Sequence, residues 1–250
     1  DEGVATVTAG VVTAQAVGTA NITASIEVNG QAYSAVCAVT VVTADKLLFF
    51  SDYHELSSTL QSIATTIAND GKGVSKAFIL GDLSDGISSS SSTTNAQAAN
   101  VLSILETTLG CEALYRISGN HDYENTTTGA LYESSNYCVY GVNYYDYNSS
   151  STVTALGTYL AEVATRTAKP VVFVIFHQSL NDNRDNSYAQ NYVDLFNQYG
   201  DSIDLIVMHG HDHTIGCFTD LIRYGEDMYV QGGTTATTVK ALFINVGKAD

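Results

Sequence analysis

Two rhythms of apolar residues divide this 250-residue chain. Over residues 3–42, valine, alanine and isoleucine alternate with threonine and serine, and glycines interrupt the runs. That period of two predicts short antiparallel strands with one apolar face. Beyond Asp45 the rhythm changes. Mainly apolar runs at residues 46–50, 76–80, 113–117, 171–176 and 203–208 stop at Ser, Gly or His, which predicts buried strands. Between them, Leu60, Ile63, Ala64 and Ile67 recur at spacings of three and four and predict a helix over 57–69. Further helices are expected near 96–109 and over 152–167 and 188–199, and the polar serine tract 88–92 reads as a mobile loop. After His213, runs at 215–218, 221–224, 228–231 and 241–246 return to strands. Strand and helix alternation with a strand-rich end predicts an α/β domain: two mixed β-sheets packed as a sandwich and flanked by helices. Thr43 to Asp45 marks the boundary, giving a small all-β module at 1–44 and the α/β domain at 45–250.

The chemistry-bearing residues sit where these strands end. Asp52 and His54 follow the first run, Asp82 and Asp85 the second, and Asn120, His121 and Asp122 the third; His177 ends the run at 171–176, and His211 and His213 follow the last. Ligand sites in open α/β sheets lie beyond the carboxyl ends of the strands, so these distant clusters converge if the strands share one sheet system. Carboxylate, imidazole and amide carbonyl suit hard and borderline divalent cations, whereas soft sites are built from thiolates. The four cysteines, Cys37, Cys111, Cys138 and Cys217, show no ligand spacing; free thiols and a bridge such as Cys111 with Cys138 are both open.

Read together, Asp52-Tyr-His54, Gly81-Asp82-Leu-Ser-Asp85, Gly119-Asn120-His121-Asp122, His177 after its strand, and Gly210-His211-Asp212-His213 resemble the calcineurin-like metallophosphoesterase superfamily. Each motif alone is weak; five in order are specific. The resemblance implies a four-layer sandwich and a metal-dependent hydrolase of phosphomonoesters or phosphodiesters. It implies that Asp52, His54, Asp82 and His213 hold one ion, that Asp82, Asn120, His177 and His211 hold the second, and that Asp82 bridges them. His121 would then stand beside the ions and protonate the leaving oxygen, with metal-bound hydroxide as nucleophile. Chemistry agrees: two divalent cations, whether Mn, Fe, Zn, Ni or Mg, stabilise both the attacking and the leaving oxygen of an in-line displacement. A carboxylate can bridge two ions and an imidazole nitrogen cannot, and a histidine is suited to donate a proton near neutral pH. Asp85 and Asp122 are expected to orient the histidines. His209 is expected to be packed or hydrogen-bonded away from the cluster. The tyrosines of 137–147 predict an aromatic hairpin strand, with a substrate cleft as the second reading.

Residues 1–44 carry no such constellation. Their strands, including Gly18-Thr-Ala-Asn-Ile-Thr-Ala-Ser-Ile26, resemble the C-terminal part of a bacterial Ig-like domain of the group 2 type. About half of such a sandwich is represented, which reads as a piece of a longer array. That neighbour supplies a second functional reading, an adhesion or carbohydrate-binding module that keeps the phosphoesterase fold as scaffold.

Charge narrows the partners. Ten basic against 26 acidic residues give a formal net charge of −16. Wrapping nucleic acid requires lysine and arginine along the surface, so a small phosphoester in a metal-lined pocket is the expected substrate. No apolar run reaches the roughly 18 residues of a membrane span, and the sequence opens without a basic and apolar leader pattern. The Ig-like flank and acidic, Ser/Thr-rich composition favour an extracellular or cell-surface bacterial setting, with cell-wall or surface association through such modules.

Overall fold

A computed structural model describes residues 2–42, 45–54, 57–70, 73–86, 91–123, 126–167, 169–180, 187–213, 227–228, 237–238 and 241–246. The chain divides into two compact units, Asp1–Asp45 and Lys46–Asp250.

The first unit is two antiparallel hairpins. Strand β1 (Ala5–Thr8) pairs with β2 (Val11–Ala14), and β3 (Gly18–Val28) with β4 (Gln31–Val41). Both turns are two residues long, Ala9-Gly10 and Asn29-Gly30, with positive φ at each position. Such turns carry the right-handed twist of a tight hairpin. The register sets Ile22, Ala24 and Ile26 opposite Cys37, Ala35 and Tyr33. These six share one side of the ribbon, and the intervening Asn21, Thr23 and Ser25 share the other. The expected alternation is therefore present as hairpins.

The second unit is layered. Strands β5 (Leu47–Phe50), β6 (Lys76–Ile79) and β7 (Ala113–Arg116) form a parallel sheet in the order β5-β6-β7. A five-stranded mixed sheet runs β14-β11-β10-β9-β8. Its strands are β8 (Gly129–Glu133), β9 (Tyr137–Val142), β10 (Val171–Phe176), β11 (Asp204–His209) and β14 (Leu242–Asn245), with β8 antiparallel to β9. A short β12–β13 pair joins Asp227–Met228 to Thr237–Thr238.

Alternation along each strand builds three apolar layers. Ala77 and Ile79 of β6 pack with Leu60 and Ala64 of α1 (Ser57–Asn69) and with Val101 and Leu105 of α2 (Ser91–Leu109). The intervening Phe78 points the other way, into a layer with Val139, Ile175 and Met208 of the five-stranded sheet. Val172, Val174 and Phe176 of β10 face Leu156 and Leu160 of α3 (Ser150–Ala164) and Val193 and Phe196 of α4 (Ala189–Tyr199). The result is helices, sheet, sheet, helices, as the apolar pattern predicts.

Several expectations shift. Helix α2 begins at Ser91, not near Ala96, because its buried stripe runs back from Val101 through Ala98 to Thr94. Ser91 and Ser92 of the serine tract are thus helical, and residues 88–90 lie outside the described residues, as do the runs 215–218 and 221–224. Cys37, Cys111 and Cys138 are free thiols. Cys138 belongs to the layer under α3 and α4 while Cys111 packs at the opposite face against α2, so the considered bridge is absent. Cys217 lies outside the described residues. The tyrosine segment is the expected hairpin strand through Tyr140, then a single helical turn at Tyr144–Asp146. Among the described residues, no helix is long and apolar enough to cross a membrane.

Phe78 is fully buried where the two sheets meet. Phe78→Ala removes an aromatic ring from that layer and is expected to cost about 3 to 5 kcal/mol, read as a lower midpoint in urea unfolding.

Candidate metal centre

All the candidate ligands stand just beyond the carboxyl ends of parallel strands. Asp52 and His54 follow β5, Asp82 follows β6, Asn120 and His121 follow β7, His177 ends β10, and His211 and His213 follow β11. The loops are laced by their backbones: the Asp52 amide donates to Gly81 O (3.1 Å), the Tyr53 amide to Asp82 O (2.7 Å) and the Gly210 amide to His177 O (2.9 Å). The two sheets therefore deliver their ligand loops to one place.

Backbone conformation marks the same residues. Within Lys46–Asp250, the described non-glycine residues with positive φ are Asp52, His54, Asp82, His211 and His213. Left-handed backbone is costly for residues with a Cβ and persists where the surroundings enforce it. Two glycines make room. A Cβ on Gly81, which has φ +102°, would lie 2.6 Å from His177 Nδ1, and one on Gly119 would collide with Asp82 Oδ1 and meet His177 Cε1 at 2.7 Å.

The side chains form two clusters of donor atoms. Asp52, His54, Asp82 and His213 each place one ligand atom within 4.8 Å of the others, and Asp82, His177 and His211 do likewise. Asp82 is the residue common to both. Asn120 joins the second cluster, its Oδ1 3.0 Å from His177 Nε2.

Each aspartate is held by one oxygen and presents the other. Asp82 Oδ1 accepts the His121 amide at 2.8 Å, leaving Oδ2 3.2 Å from His177 Nε2 and 3.8 Å from His54 Nε2. Asp52 Oδ2 accepts the His211 amide at 2.7 Å, while the buried Oδ1 has no hydrogen-bond donor and lies 3.1 Å from His213 Nε2. His177 is oriented by its other nitrogen, which contacts the Leu80 carbonyl at 2.7 Å and leaves Nε2 facing the cluster.

Electrostatics fit a cation. Burial works to raise the Asp82 carboxyl, but the hydrogen bond and charge of His177 outweigh it and hold the group below its ordinary range. Burial alone would lower His177, yet Asp82 carries it up to about 9, so a proton and a cation compete for the same nitrogen. Burial lowers His54, against the pull of Asp82, which favours the neutral imidazole that coordinates a metal. His54 Nε2 and His213 Nε2 are 2.9 Å apart, and His177 Nε2 and His211 Nδ1 3.1 Å. At these distances each pair can share a proton in an N–H···N hydrogen bond or turn both lone pairs to one cation. A buried carboxylate oxygen without a donor among imidazoles and an amide oxygen is the donor set of a divalent cation.

The structure brings together all eight predicted residues. His121 lines the open pocket with Asp82, Asn120, His211, Asp212 and His213; its ring is edge-on to His54 at 4.6 Å, and its buried Nδ1 has no hydrogen-bond partner. His209 is buried with Nδ1 3.1 Å from Gly210 O, outside both clusters. The expected role of Asp122 is corrected. Its carboxylate accepts the amides of Asp82 (2.8 Å), Leu83 (3.0 Å) and Gly119 (2.9 Å), so it ties the β6 and β7 loops together and hydrogen-bonds no histidine ring. Backbone amides at loop tips outnumber imidazole donors there. Asp85 does approach one nitrogen of His54 and one of His121. Sequence reasoning missed the Leu80 carbonyl as the group that orients His177, and Ser84, which donates to the His121 carbonyl at 2.9 Å. The glycines preceding Asp82, Asn120 and His211 signal such close approach in the sequence.

A sandwich with a two-cluster site on its strand ends, sharing one carboxylate, defines a dinuclear metallohydrolase type of protein. The family model described as calcineurin-like phosphoesterase matches residues 46–214. The chain belongs to the calcineurin-like phosphoesterase family and is a metal-dependent phosphoesterase with two divalent ions as cofactor. No curated protein matches it. Among solved structures, a dimetal phosphatase from Danio rerio is similar at 11% identity, with 82% of this chain and 88% of that chain covered and a TM-score of 0.59. Two others align less well: GAP50, the anchor in the inner membrane complex of Plasmodium (12%, 82% and 72%, TM-score 0.48), and the phosphopantetheinyl hydrolase of Mycobacterium tuberculosis (11%, 82% and 90%, TM-score 0.38). The first supports the fold.

Gly119→Ala pushes a methyl onto both Asp82 and His177. The rise in Tm on adding Mn or Zn is expected to fall by roughly half or more, since a site that no longer closes on the ion gives less linkage stabilisation; an undiminished rise would contradict the packing argument.

Proposed function

We propose that this chain hydrolyses small phosphomonoesters or phosphodiesters at a site in which Asp52, His54, Asp82 and His213 take one ion and Asp82, Asn120, His177 and His211 the other. The observation that carries it is the single shared Asp82, whose Oδ2 faces both clusters while Oδ1 is held by the His121 amide. When bound, the ions supply Lewis acidity toward phosphoryl oxygen and toward water.

The protein's own contribution is placement. Asp82 and Asn120 enter the pocket from adjacent loops fixed by Asp122, so the phosphoryl group meets a prearranged wall and little reorganisation is needed on binding. His121 is the proton donor for the leaving oxygen. Its backbone is fastened to Asp82 and, through Ser84, to the β6 loop, while its ring lines the pocket outside both ligand clusters. Asp85 places a carboxylate oxygen close to one nitrogen of His121 and one of His54.

For the first unit, the resemblance to part of an Ig-like module and the alternating hairpins support placement outside the cell or on its surface. Protease added to intact cells tests this: loss of the chain before lysis agrees, and protection until lysis contradicts.

The chemistry is tested by two substitutions with metal content measured in parallel. Asp82→Asn is expected to lower turnover of an aryl phosphate more than about 10²-fold with loss of bound metal. His121→Ala is expected to keep its metal and to slow esters with basic leaving groups by about 10² or more, with a much smaller effect on activated aryl esters. Equal losses for both leaving groups would remove His121 as the acid.

A further inference from the structure

Large apolar side chains exposed to solvent are few in Lys46–Asp250. Among the described residues of that unit they are Tyr123, 65% exposed, and Tyr145, 49% exposed. Both belong to the metal-loop neighbourhood. Tyr123 directly follows the Asn120-His121-Asp122 loop, and the Tyr145 hydroxyl donates to the Asp122 carbonyl at 2.5 Å.

Tyr145 is held rigid. It sits in the helical turn Tyr144–Asp146, whose N-terminal cap is the buried Asn143, and the Asn143 side chain accepts the Tyr145 amide. Its neighbour Tyr144 is anchored by its amide to the Ser118 carbonyl at 3.1 Å. The Tyr144 ring stands 6.0 Å from the His177 ring and 6.4 Å from the His211 ring, and 5.5 Å edge-on from Tyr145. The Tyr145 hydroxyl is pushed up by burial, then by the charges of Asp122 and Asp82 and by Tyr144 and Tyr123, so Tyr145 stays a neutral phenol. A half-exposed ring fixed at both its backbone and its hydroxyl loses little entropy on binding a flat group, as a pre-organised surface should.

We propose that Tyr145 and Tyr123 form a stacking platform that selects phosphoesters carrying a planar aromatic group set off from phosphorus by a spacer. This rests on the phosphoesterase reading. The spacer follows from geometry: Tyr144 lies between the ligand histidines and Tyr145, so the platform begins one ring's breadth outside the cluster. A ring bonded directly to the phosphoryl oxygen stays beside the ions, whereas one carried on a sugar-sized linker reaches Tyr145. Charge sets the rest. The pocket is lined by Asp82, Asn120, His121, His211, Asp212 and His213, with no lysine or arginine among these described residues, and the chain is strongly acidic. A single phosphoryl group on an uncharged aromatic moiety is therefore favoured over a polyphosphate chain.

The test compares adenosine 5′-monophosphate with ribose 5-phosphate, which lacks the ring, by calorimetry and by phosphate release, on the full chain loaded with Mn or Zn. The Kd for the aromatic ester is expected to be about tenfold lower, in the range of base stacking on an aromatic side chain. Tyr145→Ala is expected to bring that ratio to about one. Tyr123→Ala, at a solvent-exposed position that leaves the core intact, is expected to reduce it by at least roughly twofold, and Tyr145→Phe, which keeps the ring, to preserve most of it. Equal affinities for the two esters in the unaltered protein, or an unchanged ratio in both alanine variants, would overturn the platform. Failure to release phosphate from either ester, and to cleave bis(p-nitrophenyl) phosphate, despite the expected binding ratio would instead sink the phosphoesterase reading and leave the platform standing.

Discussion

Asp82 holds the centre together by dividing its two oxygens between tasks. One is fastened to the backbone of the neighbouring loop and the other is left facing the imidazole nitrogens of His54 and His177, which follow strands of different sheets. Asp52 repeats the device, with the His211 amide on one oxygen and an unpartnered oxygen turned toward His213. A carboxylate anchored in this way cannot swing away to relieve the crowding of nitrogens and oxygens around it. A cation bound there would relieve the crowding, and its binding energy would become folding energy for the loops that hold it.

The sandwich exists to make this anchoring possible. Parallel strands from two sheets end at the same edge, and the alternation that buries Phe78 against Ile175 and Met208 fixes the sheets relative to each other. Once the strand ends are fixed, the loops are short enough that backbone amides reach the carboxylates directly. Asp122 then acts as a clasp, because one buried side chain accepts amides from the loops after both β6 and β7. Five ligands occupy left-handed backbone, a conformation an isolated loop would abandon. The strain is tolerated because amide, carbonyl and carboxylate bonds around each ligand over-determine its position.

Much of this was legible before any coordinates. Apolar runs located β5, β6, β7, β10 and β11 to within a residue or two, because strands covered on both faces leave a nearly continuous apolar signature. The clustering of the candidate ligands is readable because metal sites demand a few residue types at strand ends. What the sequence hid depends on backbone. Nothing in the letters Asp or His announces a positive φ, and the Leu80 carbonyl that orients His177 is invisible to any reading of side chains. Carboxylates near imidazoles usually orient them, which predicts Asp122 as a partner of histidine; five loop N–H and O–H donors occupy it instead. The start of α2 was placed late because serine and threonine weaken the helical pattern, although Thr94 is buried in the stripe. The aromatic hairpin was foreseen, but its last two exposed-side residues, Tyr144 and Tyr145, leave the strand in a turn that carries them to the metal loops.

The account turns on two cations sharing one oxygen of Asp82. Crystals of the chain saturated with manganese, measured for anomalous scattering, test it most directly. The predicted map has two peaks, about 3.5 to 4 Å apart, on either side of Asp82 Oδ2, one beside Asp52, His54 and His213 and the other beside Asn120, His177 and His211. A single peak at saturation, or two peaks that do not flank Asp82, would contradict it.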